Sequence, residues 1–121
     1  MKSSTDFDRI VRARIFLDHF PRSALRPEVL LLLGDAAASA ALKLTRDAGR
    51  RVGDITVRDS SSYFLNYVGL DRYNRQGVVF LFDEGSSRLI YDGAAWHEII
   101  RRFPRSPQAI DAKKRLTSGP D

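Results

Sequence analysis

No cysteine occurs among the 121 residues. That excludes disulfides, thiolate–zinc sites and cysteine nucleophiles together, and leaves the redox compartment open. Histidine is nearly as scarce. His19 and His97 are not joined by any His-x-x-x-His or carboxylate–histidine spacing. His97 and Glu98 are adjacent on a helix, so their side chains point about 100° apart and do not readily share a metal. The glycines stand singly, as at Gly53, Gly69, Gly77, Gly85 and Gly93, whereas a phosphate site wants a glycine-rich loop feeding a helix. There is no Gly-x-Ser-x-Gly elbow, and Ser60-Ser61-Ser62 lacks a nearby base. Long apolar runs are missing as well. The most apolar stretch, Glu28 to Lys43, contains Asp35 and Ser39 and falls short of the about 20 apolar residues that span a bilayer. Met1 to Asp8 lacks the apolar core of a signal peptide. The expectation is a soluble, non-enzymatic chain with no catalytic residue, cofactor or metal, and with no signal of its compartment.

What is present fits one globular domain spanning 1–121. The hydrophobic share is 43% and the charged share 29%, which argues against general disorder. A formal charge of +5 brings nucleic acid into view, because neutralising phosphates needs clustered Lys and Arg. The charges are instead interleaved: Asp6 and Asp8 precede Arg9, Asp18 follows Arg14, Asp47 lies between Arg46 and Arg50, and Asp71 abuts Arg72. Two local basic patches remain, Arg101–Arg102–Arg105 and Lys113–Lys114–Arg115.

Periodicity gives the elements. Phe7, Ile10, Ala13, Leu17 and Phe20 fall at three- and four-residue steps, widened by Val11 and Phe16, and predict an amphipathic helix from about Thr5 to Phe20. Ser4 or Thr5 can cap it, and Pro21 stops it. A second helix starts near Arg26 or Pro27 and runs to about Arg50, with Gly53 as terminator. Val29 to Leu33 are apolar, and Gly34 to Ala41 are nearly all small. A helix apolar on most sides is buried among neighbours, and small side chains let helix axes approach closely. Toward the end, Ala95, Trp96, Ile99, Ile100 and Phe103 mark a helix from Ala94 stopped by Pro104. Ser106 and Pro107 then open a last helix with Ile110, Ala112 and Leu116 as its apolar positions.

Between the helical ends lies an aromatic-rich insertion, 52–91. Asp59 to Ser62 form a polar turn or cap, and Tyr63 to Tyr73 suit one or two short helical turns, interrupted at Gly69. Val78–Phe82 and Arg88–Tyr91 are β-rich runs flanking Asp83–Ser87 and predict a hairpin over 78–91.

One short sequence occurs twice. Phe20-Pro21-Arg22-Ser23 returns 83 positions later as Phe103-Pro104-Arg105-Ser106, each time after an apolar-rich helix and before another. The expected cause is structural: an aromatic at the helix end, a proline to break it, a serine to cap the next. The helix pairs are then 4–51 and 92–117. Phe16 to Ser23, Tyr91 to Trp96 and Ser106 to Ala109 carry the pattern, and Leu30, Leu33, Gly34 and Ala37 fit the first helix of a repeat. On these residues the chain resembles the tetratricopeptide-like (TPR-like) repeats of bacterial envelope assembly scaffolds. It departs from them in lacking the 34-residue period and in placing Arg46 and Arg50 where a second helix would want small or aromatic side chains. The resemblance implies a mainly α fold of helix–turn–helix repeats with a small inserted β-hairpin, a scaffold role, a cell-envelope setting and no catalytic residues.

The expected function is therefore protein–protein interaction, with a partner of unknown identity lying along the groove or on the insertion. Tyr67, Arg72 and Tyr73, from the stretch Asn66 to Asn74, are candidate contacts, since tyrosine and arginine commonly anchor interfaces. Their structural alternative is Asp71 pairing with Arg72 or Arg75 to lock the insertion down. Trp96 is expected in the core. Arg101 and Arg105 are the remaining candidates. With Arg102, Lys113, Lys114 and Arg115 they also define the alternative, a basic surface for nucleic acid or another polyanion. Self-association is a further expectation, because two repeats are fewer than the three that usually shield a solenoid core.

Overall fold

In the computed structural model the described residues are 5–51, 69–83, 85–86 and 88–118. Helix α1, Asp6–His19, opens where the Thr5 Oγ1 accepts a hydrogen bond from the Asp8 amide at 3.1 Å, which satisfies one of the free N–H groups of the first turn. Ile10, Ala13 and Leu17 are buried on one stripe, while Ile15, on the opposite side, is exposed. Helix α2, Arg26–Arg51, is one continuous rod. Pro27 is buried in its first turn, where the missing N–H costs no bond. Leu30, Leu33, Ala36, Ala37, Ala40, Ala41 and Leu44 are all buried and cover about half of the helix circumference. Leu32 and Leu42 on the other side are exposed, so the helix is buried along one face and is not surrounded by neighbours as its composition suggested.

A short helix α3, Gly69–Arg75, follows. Tyr63 to Val68, where the sequence predicts the turns interrupted at Gly69, lie outside the described residues. Gly77, at φ 79°, turns the chain toward the strands, a conformation that costs glycine little. Strands β1, Phe80–Asp83, and β2, Arg88–Tyr91, pair antiparallel with Phe80 opposite Tyr91 and Asp83 opposite Arg88. The antiparallel pair forms, but its first strand is shifted from the expected Val78–Phe82: Val78 and Val79 lie before it and Asp83 is in the ladder rather than in the loop. Helices α4, Ala94–Arg102, and α5, Pro107–Ser118, complete the elements. Among the described residues the fold is mainly α with one small antiparallel sheet.

The chain resolves into two compact units, Met1–Ala37 with Gly93–Asp121, and Ala38–Asp92. The second unit holds the later part of α2, α3 and the hairpin. Thr45 joins two of these: its hydroxyl donates to the Ala41 carbonyl and accepts the Leu89 amide, both at 2.8 Å. A two-stranded sheet is marginal alone, and here β2 is tied to a helix. Tyr73 packs edge-on against Phe80 with ring centroids 5.3 Å apart. Val78, Leu89 and Tyr91 are buried in the same unit.

The first unit contains α1, the part of α2 up to Ala37, α4 and α5. Trp96, 7% exposed, lies over Gly34. A Cβ added at Gly34 would come within 2.8 Å of the Trp96 Cδ1 and closer still to its Nε1. The glycine is what lets α4 seat its indole on α2. Gly93, at φ 80°, opens α4, and a Cβ there would sit 2.9 Å from the Leu116 Cδ2 on α5. Two ion pairs bind the same helices. Arg26 reaches Glu98 at 2.7 Å with both side chains largely buried, and Arg115 forks onto Asp35 at 2.9 and 3.0 Å.

Candidate functional site

The two Phe-Pro-Arg-Ser turns adopt the same backbone path. Phe20 ends α1 at φ −128°, ψ 61°, and Phe103 ends α4 at φ −130°, ψ 53°. Each phenylalanine amide bonds back four residues, to Phe16 at 2.8 Å and to Ile99 at 2.7 Å. Each serine amide then donates to the phenylalanine carbonyl, at 3.1 and 3.0 Å, and each serine carbonyl accepts from the residue three further on, Arg26 or Ala109, at 3.1 Å. The side chains differ slightly in use. The Ser106 hydroxyl donates to the Phe103 carbonyl and accepts from Ala109, whereas the Ser23 hydroxyl accepts from Leu25. Proline, fixed at helical φ and lacking an N–H, breaks the ladder in both copies.

Both turns lie at one end of the first unit, as the cross-helix contacts require. Going forward along α2 from Arg26 to Gly34 means going backward along α4 from Glu98 to Trp96, so these helices run antiparallel. Gly93 at the start of α4 faces Leu116 near the end of α5, so α5 runs back along α4 and therefore in the direction of α2, which it meets at Asp35–Arg115. The residues preceding α2 and α5 are the two turns.

This end carries exposed apolar and basic side chains together. Phe20 is 57% exposed, Leu25 52% and Ile110 60%. Pro21, Arg22, Pro104 and Arg105 are exposed on the turns themselves, and Arg101 and Arg102 close to them. Arg102 is drawn toward Glu98 at 3.1 Å. Arg22, Arg101 and Arg105 form no ion pair with a described residue. The acidic groups of this end include Asp18, in reach of Arg14 at 3.9 Å, exposed Glu28, Glu98 beneath Arg26 and Arg102, and half-buried Asp111 beside Ile110.

The sequence-predicted contacts fall in different places. Tyr67 lies outside the described residues. Arg72 is exposed, its guanidinium 5.3 Å from the Tyr73 ring centroid. Tyr73 is 4% exposed and sits in the core of the second unit, so it offers a partner almost no surface. Arg101 and Arg105 are exposed at the double-turn end, and Lys113 and Lys114 are exposed on α5. Arg115 is committed to Asp35, whose carboxylate raises its already high pKa. His19 is exposed, with its Nδ1 2.9 Å from the carbonyl of Ile15 on its own helix, and His97 is exposed on α4. Among the described residues no group of three His, Cys, Asp or Glu converges, and no helix is long and apolar enough to cross a membrane.

Three residues of the double-turn end escape a sequence reading: Arg22, Leu25 and Ile110. Ile110 is expected on the inner stripe of α5. Ala109, Ala112 and Leu116 form that stripe at steps of three and four, and Ile110 stands about 100° round from Ala109. The angle was available from spacing alone. The placement at one end of two turns far apart in sequence was not.

No protein family, curated protein or solved structure matches the chain.

Proposed function

We propose that this chain is a non-enzymatic protein–protein interaction module of TPR-like type. The observation that carries the reading is the shared turn: two helix–turn–helix junctions, built on the same four residues with the same backbone hydrogen bonds, fall in one unit. Such pairing is how α-solenoid repeats bury a common face and leave a rigid outer surface for partners. Apolar side chains more than half exposed at one end of that unit add to it, because clustered exposed apolar surface marks interaction sites. The uninterrupted α2 departs from an ordinary repeat, and the module is correspondingly a variant with its own insertion.

The test is selection of a displayed random-peptide library on the purified full chain at physiological salt. The expected result is reproducible enrichment of one peptide class that binds the folded chain and competes for one surface. Failure to enrich any peptide on a folded chain would overturn the reading.

A polyanion-binding alternative draws support from Arg101, Arg105 and Lys113, which are exposed and form no ion pair with a described residue. It is weakened by Arg102 and Arg115, which already serve Glu98 and Asp35. Binding through six phosphate contacts would fall about a thousandfold between 50 and 200 mM salt. A duplex DNA titration over that range separates the two readings.

A further inference from the structure

We infer that the double-turn end binds an acidic protein segment carrying an apolar side chain, its carboxylates held by Arg22 and Arg105 and its apolar residue set among Phe20, Leu25 and Ile110. This rests on the interaction-module reading and gives it a site and a partner chemistry. The inference is built from charge and exposure. Arg22 and Arg105 occupy the same position in two turns of one geometry, one on each helix pair, and both turns lie at the same end. Neither arginine has an ion-pair partner among the described residues, and both side chains are exposed. A guanidinium fork presents paired donors that match a carboxylate. Desolvating it beside apolar surface strengthens that contact.

The apolar groups decide between ligands. Three of the large apolar side chains of the first unit that stand more than half exposed, Phe20, Leu25 and Ile110, gather at this end. Leucine and isoleucine offer no stacking surface to a base, whereas an apolar anchor of a peptide fits among them. Asp18 and Glu28 also lie here, exposed. They would repel a continuous phosphate backbone, but a peptide with a few discrete carboxylates can pass between them. An acidic peptide with an apolar anchor meets each of these features, whereas a nucleic acid meets the arginines and the Phe20 ring but neither Leu25 nor Ile110.

The experiment follows the library selection with fluorescence anisotropy of the most enriched peptide against the full chain. Four proteins are compared: the native chain, Arg22→Glu, Arg105→Glu, and the control Arg46→Glu, which makes the same charge change at an exposed position of the second unit. Expected are a consensus rich in Asp and Glu around an apolar residue, at least a tenfold loss of affinity in each turn variant, and less than a twofold change in the control. Ile110→Ser should also weaken binding, about fivefold, with circular dichroism unchanged. A neutral or basic consensus, or affinity unaltered by Arg22→Glu and Arg105→Glu, would overturn this site while leaving the interaction module standing. Tighter binding of a 20-base-pair duplex than of any selected peptide would overturn the acidic-segment proposal in favour of nucleic acid. Absence of any enriched peptide would remove both.

Discussion

Gly34 and Trp96 decide how closely two helices meet. The indole covers the glycine so tightly that one methyl group has no room. Gly34→Ala gains helix propensity, by about 1 kcal/mol, yet must displace a large ring that is 7% exposed. Overpacking of that kind costs about 1–3 kcal/mol, so the variant should be less stable in urea. With Trp96→Leu in the background the penalty should shrink, giving a coupling of about 0.5–3 kcal/mol in a double-mutant cycle. Additive effects would mean that the two residues do not touch. Ala37, 0% exposed on the same helix, should lose about 1–3 kcal/mol on substitution by Leu, read from the shift of the urea midpoint. The run from Gly34 to Ala41 made close packing legible in the sequence, because small residues in a helix have few other uses. Which aromatic would fill the space was not legible, since Trp96 lies sixty-two positions from Gly34 and helical spacing carries no long-range information. Tyr73 marks the same limit from the other side. Its composition suits an interface, and only the packing against Phe80 reveals it as core.

At the scale of the element, a repeated tetrapeptide becomes a repeated turn. Ser106 makes two side-chain hydrogen bonds at the junction of α4 and α5, to the Phe103 carbonyl and from the Ala109 amide. Ser106→Ala should therefore cost about 0.5–2 kcal/mol, in the range of a lost N-cap. Ser23→Ala should cost less, because Ser23 makes a single such bond, accepting from Leu25. Comparing the two thermal transitions checks the order. The hairpin supplies a pH prediction. Asp83 is held below the usual carboxylate range, chiefly by the hydrogen bond from the Ser86 hydroxyl at 2.6 Å, with the loop amides of Gly85 and Ser86 adding to it. A carboxyl whose pKa is depressed on folding contributes stability above its unfolded value, about 3.9, and loses it as the pH falls through the folded value. Protection factors of the Leu81 and Ile90 amides, corrected for the intrinsic exchange rate at each pH, should thus fall only below about pH 4, and Asp83→Asn should abolish that step. Exchange that responds equally in both proteins would contradict it. Helix and strand positions were readable from the sequence because each has its own period.

Over the whole molecule, the formal charge of +5 is less informative than its distribution. Arg26, Arg102 and Arg115 are spent inside the first unit on Glu98 and Asp35, while Arg22, Arg101 and Arg105 face outward beside apolar groups. Composition alone could not sort arginines that hold helices together from arginines available to a partner. The sorting depends on α2 lying antiparallel to α4 and parallel to α5, which sets both turns at one end. The chain has one tryptophan, so its indole proton gives a single assignable signal, and that signal reports the α2–α4 crossing directly. In a nuclear Overhauser spectrum the Trp96 Nε1–H should show a strong cross-peak to the α-protons of Gly34. If that peak is missing while the indole remains protected from solvent, the helices cross elsewhere and the shared end, with the site drawn on it, is refuted.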